Sequence, residues 1–121
     1  SGLDNHILTS GYSATRRIPP TGVSWETFWT TTLAPAGTAT IAADSAGNTI
    51  QYVIDRMCAG TGSSTSGIGC ATAPKANVNT NSSMGAGRAG PSMNSAVYYR
   101  IITRIQGPRS TASFIETMIA I

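Results

Sequence analysis

Two cysteines, one histidine and five acids are the side chains of this 121-residue chain with the widest chemical reach. Cys58 and Cys70 stand eleven residues apart from one another, counting those between. A structural zinc site takes four ligands, and His6 is the one imidazole available to join the two thiols, so the metal reading is short of donors. The Cys-x-x-Cys spacing of redox proteins is also absent. Two readings remain, a disulfide or two separate buried thiols. Ala59 through Gly67 are all Gly, Ser, Thr or Ala, and a loop with so little apolar content has nothing else to hold it. That favours the disulfide, a cross-link worth around 3 kcal/mol for a ring of this size. It also implies an oxidising compartment such as a periplasm or cell surface.

Catalysis finds little to work with. A nucleophile needs a base beside it, and His6 lies in a beginning that reads as irregular and exposed. Asp4, Glu26, Asp44, Asp55 and Glu116 form no pair at the spacing of a glycosidase or a metal loop. Gly85-Ala86-Gly87-Arg88-Ala89-Gly90 has the glycines of a phosphate loop without its Lys-Ser/Thr. The sequence therefore reads as a non-enzyme with no catalytic residue, cofactor or metal. Net charge is +3, but the basic residues are scattered and no aromatic series alternates with them, which argues against nucleic acid as a partner. Charged residues make up 11% of the chain against a usual share of about 25%, so Ser, Thr, Asn and Gly must keep it in water. No run approaches the roughly 20 apolar residues that span a bilayer.

The length fits one domain over residues 1–121. Residues 1–21 read as an irregular start that ends in Ile18-Pro19-Pro20. Ser24 is placed to cap a short helical turn, which would bring Val23, Trp25, Phe28 and Trp29 to the core. Residues 39–43 make a short strand, and Asp44 to Asn48 is dense in turn formers. Residues 49–57 alternate as a half-buried strand does, with Ile50, Tyr52 and Ile54 on one face and Gln51, Val53 and Asp55 on the other. Residues 59–95 are a long Gly/Ser/Asn-rich loop region tied at its start by the cysteine pair. A further strand, 97–106, carries Tyr99, Ile101 and Ile105 on one side and Arg100, Ile102 and Arg104 on the other. Gly107-Pro108 turns the chain, and 111–121 returns as its antiparallel partner. The predicted class is α+β, with little helix and an antiparallel sheet of about four strands. Arg100 and Arg104, on the amphipathic face, are candidates for contact with acidic groups of a neighbour, against the alternative of solvated surface charge.

Two segments carry a family resemblance. DSAGNTIQYVIDRMC at 44–58, followed by a Gly/Ser-rich loop and a second cysteine, and YYRIITRIQGPRSTASFIETMIAI at 98–121 resemble the C-terminal part of PilX-type minor pilins, assembly proteins of bacterial type IV pili. The resemblance implies a pilin-like head that acts by contact with other minor pilins and the major pilin, in a tip or priming complex. It implies residence in the inner membrane and periplasm before assembly and in the extracellular pilus afterwards. Pilins also carry a long N-terminal helix, whose first half anchors in the membrane and whose second half packs on the sheet. This sequence lacks that helix, and Ser1–Gly2 reads as the scar of a removed tag, so the expected membrane link runs only through the missing segment. A sheet without its helix needs a substitute cover or is left with an apolar patch, and Trp25, Phe28 and Trp29 are the expected cover. The alternative is a secreted or surface adhesion module that recognises a host glycan or protein through the 59–95 loop.

Overall fold

The computed structural model describes residues 2–74, 95–109 and 111–121. Ser24 does cap the first helix: its hydroxyl accepts from the Thr27 amide at 3.2 Å. That helix, α1 (Trp25–Phe28), runs on through a π-helical stretch, Trp29–Leu33, into a last turn, α2 (Ala34–Ala36). Three threonines in the middle are poor helix formers, and the hydroxyls of Thr30 and Thr31 bond back to the carbonyls of Glu26 and Thr27. The segment holds because its inner side is apolar: Phe28, Trp29 and Leu33 are buried against Val53 and Ile102 of the sheet. Gly37 ends it at φ 132°, where a Cβ would fall 1.9 Å from the Leu8 carbonyl oxygen. Only glycine permits so close a crossing.

The sheet is mixed and six-stranded. Its centre is β3 (Thr49–Arg56) paired antiparallel with β5 (Ser95–Gln106), in a register that sets Val53 opposite Ile102 and Asp55 opposite Arg100. β6 (Ala112–Ala120) lies antiparallel on the other edge of β5. β2 (Ala39–Ile41) pairs antiparallel with the start of β3, and β4 (Thr72–Pro74) with the start of β5. The two predicted turns are present: Asp44 accepts from the amides of Ala46 and Asn48, and the Gly107 amide donates to Thr111 at 2.8 Å.

The expected antiparallel sheet of about four strands is corrected in two places. β1 (Tyr12–Ser13) lies parallel to the end of β3, within the region expected to be irregular. Tyr12, Ser13 and Ala14 are buried; Arg56 of β3 reaches across to donate to the Ala14 carbonyl at 3.0 Å, and Asp55 holds Arg17 just beyond. β4 lies inside the expected 59–95 loop; the portion of that loop at 75–94 falls outside the described residues. Cys58 and Cys70 form the disulfide, at a bridge that joins the end of β3 to the approach to β4. Arg16 adds a second tie to this loop by donating to the Gly69 carbonyl at 2.6 Å.

Candidate docking face

The two faces of the sheet differ in kind. The helical segment covers the side that carries Val53, Asp55, Arg100 and Ile102, the side whose arginines are, from sequence, candidates for contact with a neighbour's acids or for solvated charge. Burying charge there requires pairing, and the register supplies it. Asp55, 1% exposed in its side chain, takes Arg17 on Oδ1 from Nε at 2.9 Å and from Nη2 at 2.6 Å. Its Oδ2 accepts the Arg17 amide at 2.9 Å and Arg100 Nη2 at 3.3 Å. Arg100 also donates to the Arg17 carbonyl and sits 5.3 Å from the Trp25 ring centroid, whose π face attracts the cation. Arg104 reaches back to Glu26 on the helix at 3.1 and 3.2 Å. Both arginines singled out from the sequence as partner contacts thus have acids of their own chain. Arg100 is buried, and only Arg104 keeps part of its side chain near the surface.

The opposite face is different. Register places Ile41 beside Ile50, Ile50 beside Ile105, Ile54 beside Ile101, Thr103 beside Ile115 and Tyr99 beside Ile119. These side chains point away from the helical segment because strand residues alternate sides. Ile41, Ile115 and Ile119 remain 48%, 51% and 39% exposed. Among the described residues, Leu3 and Tyr12 cover one end of this face. Around them lies a pocket of about 150 Å³ walled by Ile54, Tyr99, Ile101 and Ile119. The Tyr12 hydroxyl donates to the Leu3 carbonyl at 2.7 Å. Burial pushes the phenol up to about 12. No protein-family model, curated protein or solved structure matches the chain.

A face that spans β2, β3, β5 and β6, rich in isoleucine, with its one β3 charge, Arg56, buried and paired to Asp4 at one end, is a surface for shape and apolar contact. Among the described residues, the nearest approach to a catalytic pair lies elsewhere, where Ser13 Oγ comes within 3.4 Å of His6 Nδ1. That hydroxyl is committed to the Thr15 carbonyl at 2.7 Å, the residue is 1% exposed, and His6 Nδ1 already accepts the Ala14 amide. The pair serves to fasten the start of the chain. Among the described residues no group of three or more His, Cys, Asp or Glu is placed to hold a metal ion.

The sequence alternation alone left open which side of the sheet is covered. The signal was Asp55, the sole acid in a strand otherwise made of apolar, neutral and basic residues. An acid at the alternating position of Val53 asks for a buried cation on the next strand.

Proposed function

We propose that the chain is the globular head of a PilX-type minor pilin, a non-enzymatic subunit that takes part in type IV pilus assembly by contact with other minor pilins and the major pilin. The observation that carries the proposal is the open isoleucine face. Trp29 and its neighbours cover one side of the sheet, and the other side leaves Ile41, Ile115 and Ile119 exposed, as suits a sheet on which an amphipathic helix lies. The pilin resemblance calls for such a helix upstream of the head, with its membrane-anchoring half beyond it. The C-terminal hairpin and the disulfide at the end of β3 also fit the order of elements in the resemblance. On this reading the subunit waits in the inner membrane with its head in the periplasm, and the disulfide forms there.

The test is complementation. In a bacterium whose natural gene is deleted, the intact gene restores surface pili, and a copy carrying Ile115→Glu and Ile119→Glu does not, although its head folds. Both positions are exposed, so charge there alters docking with little cost to folding. Normal piliation in the deletion strain defeats the proposal. So does an upstream gene sequence that encodes an ordinary cleavable signal, which instead favours the adhesion module.

A further inference from the structure

The outer edge of β6 offers a second kind of contact. The strand is nine residues long and, among the described residues, pairs only with β5. It contains no Pro, Lys, Arg or Gly, the residues by which proteins blunt an open edge. Ile121 and Val97 exchange both backbone bonds, so the odd-numbered residues of β6 bond inward to β5. The amides and carbonyls of the even-numbered residues, 112 to 120, therefore point outward. Ile115, Met118 and Ile119 on this strand are each exposed.

The geometry points to a second copy of this chain as the occupant, with the two β6 strands antiparallel about a twofold axis through Thr117. The sequence is self-complementary in that register. Ile115 meets Ile119 of the partner subunit, Thr117 meets Thr117 of the partner subunit, and Phe114 meets Ala120 of the partner subunit, large against small. Apolar and Thr–Thr cross-strand pairs of this kind are favourable. Glu116, the strand's single charge, faces Met118 of the partner subunit instead of its own counterpart. It also lies 3.9 Å from Arg100 Nη1 of its own chain. A twofold through Glu116 would set like charges directly opposite, and one through Ile115 would leave Ile119 and Ile121 without apolar partners. The pairing continues the sheet across the axis and sets the two isoleucine faces side by side. It is independent of whatever covers those faces. One added strand buries less than the roughly 1,200–2,000 Å² of a stable interface, so the dimer is weak and concentration-dependent.

Odd positions form the non-hydrogen-bonded pairs of the new ladder, with Cα atoms about 4.5 Å apart, a separation a disulfide spans. Thr117→Cys therefore becomes a covalent dimer on mild oxidation, read on a non-reducing gel. Ser113→Cys stays monomeric, because its two copies lie about 27 Å apart in this register. In sedimentation equilibrium the unaltered chain associates with rising concentration, and Thr117→Lys, which sets like charges face to face, does not. Equal cross-linking at the two positions, no cross-linking at Thr117→Cys, or a monomer at every concentration overturns the inference. So does a Thr117→Lys variant that associates as the unaltered chain does.

Discussion

Asp55→Asn lowers the stability of the domain by about 3–5 kcal/mol, the range seen when one partner of a buried ion pair is removed. The size follows from what the carboxylate does. Four donors converge on it: Nε, Nη2 and the amide of Arg17, and Nη2 of Arg100. An asparagine keeps the shape and loses the charge, and whichever way it turns, its NH2 group faces two of those donors. The Arg100 side chain is 7% exposed and that of Arg17 13%, so neither cation has free recourse to water. Losing both charge and geometry costs more than losing a surface pair, which is worth at most about 1 kcal/mol. Urea unfolding at neutral pH measures the change. A loss below about 1 kcal/mol would mean that the arginines reach solvent and that this face is not the sealed one.

Trp29→Ala is the second large effect, also about 3–5 kcal/mol. Trp29 is 1% exposed and its ring meets Phe114 of β6 edge-on at 5.9 Å, so it joins the helical segment to the far strand of the sheet. An alanine there leaves a cavity bounded by Phe28, Leu33, Val53 and Ile102, each fixed by backbone that cannot close in. Trp25→Ala is the control. Trp25 is only partly buried and caps Arg100, so its removal costs less. Equal losses for the two tryptophans, or an unchanged midpoint for Trp29→Ala, contradict the assignment of Trp29 as the core residue.

Much of the architecture was legible in the chain. Residues 49–57 and 97–106 alternate over enough positions to mark strands, Gly107-Pro108 forces the last hairpin, and Ser24 announces the helix through a local hydrogen bond. β1 and β4 were not legible, because two or three residues carry no period. Their strand character comes from partners distant in sequence, Ile54 and Asp55 for β1 and Val97 for β4. The sidedness of the sheet was illegible for a different reason. β5 is apolar on both faces, with Ile101 and Ile105 on one and Ile102 on the other, and arginine is usually taken for the wet side. Only the pairing register, which sets Asp55 against Arg100, makes the charged side the buried one. The isoleucines, the better hydrophobes, are then left for something else to cover.

Sidedness is the claim on which the rest stands, and isoleucine methyl NMR with a soluble paramagnetic agent tests it in one experiment. Ile101 and Ile102 are neighbours on one strand and point to opposite faces. The agent is expected to bleach the methyl signals of Ile101, Ile115 and Ile119 and to spare that of Ile102. Protection of Ile101 together with bleaching of Ile102 would contradict that sidedness.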